Sequence, residues 1–223
     1  MKVFIVGITG GVGAFVSQGL LSCGHEVAGL VRDSEKKEKL AAQGIQATLG
    51  DLVKMSIEEL TDAIRGSDAL VFSAGAGGSG DDATTRVDGD GPGKLAKAAA
   101  IAGISRLILV SVFPEAWRER EMDASFEHYM VQKKRAEVEL VRTGLDWVIL
   151  RPAVLADDQG SGKIDLGPAR FHEKIPREDV AATIVEILKT PDVSRQILEV
   201  TGGSVVVSDA VKGASQPTIR GSD

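Results

Sequence analysis

Short apolar runs alternate with stretches of helical periodicity along most of this chain, and no other feature limits the possible folds so strongly. The runs are Val3-Phe4-Ile5-Val6, Glu26 to Val31, Gln46 to Leu49, Ala69 to Phe72 and Leu107 to Val110, followed by Trp147 to Leu150 and Gln196 to Val200. A strand that is apolar at successive positions must be covered on both faces, and strands separated by helical segments are joined by crossovers rather than hairpins. The expected architecture is therefore α/β, a doubly wound parallel sheet with helices on both faces and a small C-terminal extension on the substrate side. Helical spacing places Val12, Phe15, Val16, Gly19, Leu20 and Cys23 on one stripe. It predicts further helices within Ala83–Ala102, Ser125–Thr143 (stopped at Gly144) and Arg177–Lys189, with Pro191 just beyond. Loops are expected over Gly75–Gly80 and Asp157–Gly167. A single domain over 1–211 with a flexible tail over 212–223 completes the outline.

Charge and cysteine content exclude several classes of function. Asp and Glu number 32 against 26 Lys and Arg, a formal net charge of −6, which argues against a general nucleic-acid binder. The one cysteine cannot form an internal disulfide, and the chain suits a reducing compartment, with a cytoplasmic location expected. No apolar stretch approaches the roughly 20 residues of a membrane span, and Met1–Val6 reads as a strand rather than a targeting segment. His25, His128 and His172 show no metal-ligand spacing, so no metal is expected. Monomer and homodimer remain equally open.

The first strand runs directly into Gly7-Ile8-Thr9-Gly10-Gly11-Val12-Gly13 and then into the first helical stripe. Glycine there lets backbone approach a pyrophosphate and lets the helix pack closely on its strand, while the helix N-terminus presents free N–H groups to the phosphates. Gly7, Thr9, Gly10, Gly11, Val12 and Gly13 are therefore the first candidates for a dinucleotide site in a Rossmann-type fold. An NAD-selective site carries an acid at the end of the second strand. This chain has Arg32, followed by Asp33 and Ser34. A guanidinium there suits a 2′-phosphate, so NADP(H) is favoured over NAD(H); the alternative is a surface arginine ending the strand. Asp51, with Leu52 beside it, follows the third strand and could accept from an adenine amino group or simply shape a turn.

Tyr129 is the sole tyrosine, and Lys133 lies four positions on, one helical turn away on the same face. A phenol ionises near 10 and exchanges protons poorly at neutral pH unless its anion is stabilised. A nearby ammonium and a cationic nicotinamide would both lower that value, so the spacing suggests proton transfer from Tyr129 to a carbonyl oxygen, with Lys133 also binding ribose hydroxyls. The competing reading is a packed tyrosine beside a solvated Lys133-Lys134-Arg135 run.

Together with Ser73-Ala74-Gly75 and Arg151-Pro152, these features resemble the short-chain dehydrogenase/reductase superfamily. The likeness is to its atypical subgroup of small NAD(P)H-binding proteins related to flavin and biliverdin reductases and to sugar-epimerase-like members. The stretches Val87–Gly91, Gly144–Pro152 and Pro176–Ala181 also look like patterns of that subgroup. The resemblance implies that Ala74 and Gly75 line the adenine ribose, that Ser73 beside them also belongs to the cofactor site, and that Pro152, Ala153 and Val154 lie beside the nicotinamide. Asp179 would then cap the last helix. Relatives that reduce carbonyls carry a hydroxyl just past the fifth strand; here Ser111 stands one position early and is either the third catalytic candidate or a strand-end residue bonded to backbone. Trp117 and Phe126 flank the expected substrate cleft, and Arg118-Glu119-Arg120-Glu121 reads as a solvated face. The implied activity is NADP(H)-dependent reduction of a small carbonyl or quinone-like substrate. An epimerase-like enzyme that retains its cofactor, and a non-catalytic NAD(P) sensor acting on a protein partner, remain alternatives.

Overall fold

In the computed structural model, residues 1–115 and 120–215 are described. Trp117, Arg118 and Glu119 lie outside them, as does the chain beyond Ser215. Every expected strand forms. β1 (Lys2–Val6), α1 (Gly11–Ser22), β2 (Glu26–Val31), α2 (Ser34–Ala41), β3 (Gln46–Leu49), α3 (Ile57–Ile64) and β4 (Ala69–Phe72) make the first half. Next, α4 (Asp81–Thr84) passes through a π-helical turn (Thr85–Asp90) into α5 (Gly91–Ala102), then β5 (Arg106–Val110), α6 (Ala124–Val141) and β6 (Asp146–Pro152). The chain ends with β7 (Val154–Ala156), β8 (Lys163–Gly167), β9 (Lys174–Pro176), α7 (Arg177–Lys189), β10 (Gln196–Gly202), β11 (Val205–Val206) and α8 (Val207–Ala214).

The main sheet runs β11-β8-β10-β6-β5-β4-β1-β2-β3. Its strands from β10 through β3 are parallel neighbours, whereas β8 is antiparallel to both β10 and β11. β7 and β9 pair separately in parallel. The chain winds outward from β1 to β3, then returns to the other side of β1 for β4. That reversal opens a crevice beyond the carboxyl ends of β1 and β4, where doubly wound folds place their ligands.

The side-chain period of two explains the continuous apolar runs. Val3 and Ile5 join a core layer with Val16 and Leu20 of α1, Ile184 and Ile187 of α7 and Val211 of α8. Phe4 and Val6 join the opposite layer with Ile64 of α3, Leu95 of α5 and Leu140 of α6. Burying each large apolar side chain stabilises the fold by about 1.5–3 kcal/mol, so the parallel strands are held from both sides.

Three expectations about local structure need correction. Phe15 and Cys23 are exposed rather than packed; α1 buries Val12, Gly13, Val16, Ser17 and Leu20, and Cys23 caps its end. The expected loop at 157–167 contains β8, whose Ile164 and Leu166 alternate with exposed Lys163 and Asp165. That short alternation sits among glycines and aspartates, and the strand is set by its long-range pairing with β10. Finally, α8 carries ordered chain through Ala214, with Val211 fully buried, so Lys212–Ala214 belong to a helix and not to a tail.

Candidate functional site

A cleft of about 750 Å³ opens at the crevice. Gly11 and Val12 line it from the start of α1, Ser73–Gly75 from the end of β4, Ser111 and Phe113 from the end of β5, and Pro152–Val154 from the end of β6. Tyr129, Met130 and Lys133 complete one wall from α6.

The glycine turn has the steric demands expected of it. Gly7 takes φ +90°, and a Cβ there would lie 2.5 Å from the Ala74 nitrogen, so the turn leaving β1 meets the end of β4 backbone to backbone. A Cβ on Gly13 would run into the Gly7 carbonyl oxygen, which instead accepts from the Gly10 N–H at 2.9 Å. Gly10 caps α1 without any side-chain hydrogen bond, leaving the first-turn amides of the helix without a side-chain cap. The turn is thus bare backbone packed at the start of α1, and with Gly11 and Val12 lining the cleft it fits a dinucleotide's phosphates.

Tyr129 and Lys133 share one face of α6, as their spacing requires, but their electrostatics differ from expectation. Lys133 is buried; its Nζ donates to the Val110 carbonyl at 3.0 Å and stands 3.8 Å from an Asp88 oxygen. The same nitrogen is 6.0 Å from the centre of the Tyr129 ring. Burial holds the Lys133 ammonium below its ordinary value, with Asp88 and Glu137 opposing. The Tyr129 phenol is pushed above its ordinary value, by burial first and by the Asp88 charge second. The expected lowering is therefore not present in the chain alone, because Lys133 is committed to Val110 and Asp88.

Asp88, within the Val87–Gly91 stretch, joins the site without any local sequence signal for a role. It lies in the π-helical turn, a kind of irregularity frequent at functional sites. One oxygen accepts from the Ala76 N–H at 2.9 Å, tying the loop after β4 to Lys133. Burial raises its carboxyl, with Lys133 opposing. A pairing that spans 45 positions leaves no local trace in sequence. His172 and Arg177 also face the cleft. The His172 ring lies 4.9 Å from that of Phe113, and burial holds the imidazole below its usual range, opposed by Glu199 and aided by Arg120.

The remaining candidates fall in three places. Ser111 is buried in the cleft wall; its N–H donates to the Leu150 carbonyl at 2.7 Å, and its Oγ has no hydrogen-bond partner among the described residues. Ser73 bonds back to the Val6 carbonyl. Thr9 and Gly10 are exposed at the turn. Arg32, Asp51 and Leu52 follow β2 and β3, across β1 from β4, and do not line the cleft. Arg32 is exposed. Asp33 caps α2 by accepting from the Glu35 N–H at 2.8 Å, and Asp51 accepts from the Val53 N–H at 2.9 Å. Asp179 does not cap its own helix; its carboxylate holds the Ser161–Gly162 turn through both backbone N–H groups. Phe126 lines the cleft as expected, and His128 meets Thr85 Oγ1 at 2.8 Å.

No helix among the described residues is long and apolar enough to cross a membrane. The NAD(P)H-binding family model matches residues 7–191. An uncharacterized sugar epimerase from Bacillus subtilis, YhfK, is 36% identical over 214 residues, covering 95% of this chain and 99% of its own. A putative NAD-dependent epimerase/dehydratase from Bacillus halodurans superposes with a TM-score of 0.87 at 30% identity, covering 96% of this chain and 99% of that one. The anaerobillin reductase ChuY from Escherichia coli O157:H7 superposes at 0.79 with 27% identity, covering 92% and 98%. The strand order, the glycine turn and these likenesses agree, and the chain belongs to the NAD(P)H-binding family.

Proposed function

We propose that this chain is an NADP(H)-dependent oxidoreductase that reduces a small carbonyl or quinone-like substrate. The observation that carries the reading is the meeting, in one cleft, of the glycine turn with Tyr129 above a fully buried Lys133. Gly7 and Gly13 shape the phosphate hollow, with Gly10, Gly11 and Val12 presenting backbone to it. Ala74, Gly75, Pro152, Ala153 and Val154 flank the rest of the cofactor's path. Bound there, the nicotinamide would supply a hydride. Tyr129, held protonated by burial, donates the proton to the substrate oxygen. The Ser111 hydroxyl, lacking a hydrogen-bond partner among the described residues, is the second donor to that oxygen. Lys133, on the same face of α6 and fixed by Val110, would bind the ribose hydroxyls at the nicotinamide end. Proton donation of this kind contributes about 100- to 10,000-fold to rate.

NADP(H) preference rests on Arg32. Its neighbour Asp33, the acid that could otherwise address a ribose hydroxyl, is engaged at the cap of α2. Calorimetric titration with NADPH, NADH, NADP⁺ and NAD⁺ tests the site and this preference together, with the phosphorylated forms expected to bind more tightly. Oxidation of NADPH by a panel of carbonyls and quinones, followed at 340 nm, tests the chemistry. Turnover by Tyr129→Phe equal to wild type would remove Tyr129 from the mechanism, and a nucleotide that co-purifies and is never consumed would favour the epimerase-like alternative.

A further inference from the structure

Arg177 opens α7, yet its side chain reaches across to the start of α1. A Cβ on Gly11 would lie 2.6 Å from Arg177 Cδ and 2.9 Å from its Nε. The absent side chain of Gly11 therefore makes room for this arginine, directly at the helix end that faces the cleft. The guanidinium pairs with Asp157, Nη1 to Oδ1 at 2.5 Å. The pair is lopsided: the Asp157 side chain is 91% exposed, while that of Arg177 is 28% exposed and lines the cleft. An ion pair with its carboxylate in water is weakly held. Guanidinium is a planar, two-pronged donor that suits phosphate at least as well as carboxylate.

We propose that Arg177 is a pyrophosphate-binding residue and that Asp157 is its resting partner, released when the cofactor's phosphates take its place. The assignment rests on the reading of this cleft as the nucleotide site. It places a second cation on the cofactor, distinct from Arg32: Arg32 would select the 2′-phosphate, whereas Arg177 would hold the diphosphate common to both nucleotides. Asp157 keeps the guanidinium extended over Gly11 in the free chain.

The experiment is a set of fluorescence titrations with NADPH and NADH on wild type, Arg177→Met, Arg177→Lys and Asp157→Asn, with circular dichroism as the check on folding. Arg177→Met should weaken both nucleotides by the same factor, about tenfold or more for a lost charge-assisted contact, leaving their ratio unchanged. Arg177→Lys should fall between that variant and wild type. Asp157→Asn should tighten both by about two- to fivefold, the strength of the exposed pair that no longer competes. A role as packing over Gly11 alone would give no such tightening. Wild-type affinity in Arg177→Met, a loss confined to NADPH, or weakening by Asp157→Asn would each overturn the assignment. Should Arg177→Met fail to fold, Asp157→Asn decides alone. Wild type that binds neither nucleotide would remove the underlying nucleotide reading before any variant is made. Absence of NADPH oxidation by wild type across the carbonyl and quinone panel would remove the reductase reading and leave these affinities standing.

Discussion

Replacing Asp88 by Asn isolates one charge in the middle of the site. Asn keeps an oxygen for the Ala76 N–H but removes the anion 3.8 Å from Lys133 Nζ. Both partners are almost wholly buried, at 1% and 4% exposure, so water cannot replace what is lost. Breaking a buried pair by removing one partner costs about 3–5 kcal/mol, a large share of the roughly 5–15 kcal/mol that holds a domain together. At about 2–4 °C per kcal/mol for a chain of this size, the thermal midpoint should fall by roughly 6–20 °C. Tyr129 offers a direct electrostatic reading, because it is the sole tyrosine and phenolate absorbance near 295 nm reports it alone. In wild type it should ionise above the ordinary phenol value of about 10. Asp88→Asn should lower it without reaching that ordinary value, since burial is the larger cause and remains. A phenol raised in the folded state adds stability below about pH 10, which is lost as pH rises from there toward the folded value, and less of it is lost in the variant. Ionisation of wild-type Tyr129 at or below the ordinary value, or an unchanged midpoint in Asp88→Asn, would refute the reasoning.

Gly13→Ala puts a methyl against the Gly7 carbonyl oxygen; forced backbone movement of this kind costs about 1–3 kcal/mol and should be seen as a lower urea midpoint and weaker NADPH binding, and a variant that matches wild type in both would disprove the close-packed turn. His172→Gln should flatten the stability–pH profile on the acid side. Burial holds that imidazole below its ordinary value of 6.5, so the unfolded chain takes up the proton first and stability falls as pH drops through 6.5 toward the folded value. An unaltered slope below pH 6.5 in the variant would show that the ring does not titrate in this way. Raising salt from 0.05 to 0.5 M should weaken NADPH binding, because Arg32 is exposed and Arg177 partly so. Turnover at saturating NADPH should change little, because Lys133 and Asp88 are shielded from ions; equal salt sensitivity of both constants would contradict that division.

What could be read from the sequence follows the range of the interactions involved. The parallel strands and the main helices are written in local periodicity, and the glycine turn in its place between strand and helix, because the steric demand at Gly7 and Gly13 arises within a few residues. Tyr129 and Lys133 were legible for the same reason, being one helical turn apart. Asp88 against Lys133, His172 against Phe113 and Arg177 against Gly11 are meetings of distant segments, decided by the winding of the sheet. The Tyr129 shift in the chain alone has the same origin: the loss of water and a carboxylate from another helix raise the phenol, whereas the expected lowering invokes Lys133 together with a cationic nicotinamide. β8 was missed because its alternation is short and its partner, β10, comes far later in the chain.

The cleft joins two kinds of charge with opposite physical properties. Lys133 and Asp88 are buried and held by backbone groups of β5 and of the loop after β4, so their orientation is set when the chain folds. A charge fixed in this way costs stability but needs no rearrangement at the moment of reaction, which is where catalysis gains from a polar group. The Arg177–Asp157 pair is half open to water, and Arg32, outside the cleft, is exposed. Such groups contribute little to folding and can change partners at small cost, which suits a cofactor that must bind and leave in each cycle. A cofactor retained through many cycles would gain from the reverse, with its phosphates held by deeply buried cations. On the proposed reading, with the fixed charges beside Tyr129 and the exchangeable ones at the cofactor's phosphates, the arrangement suits a nucleotide consumed and replaced, as reduction requires.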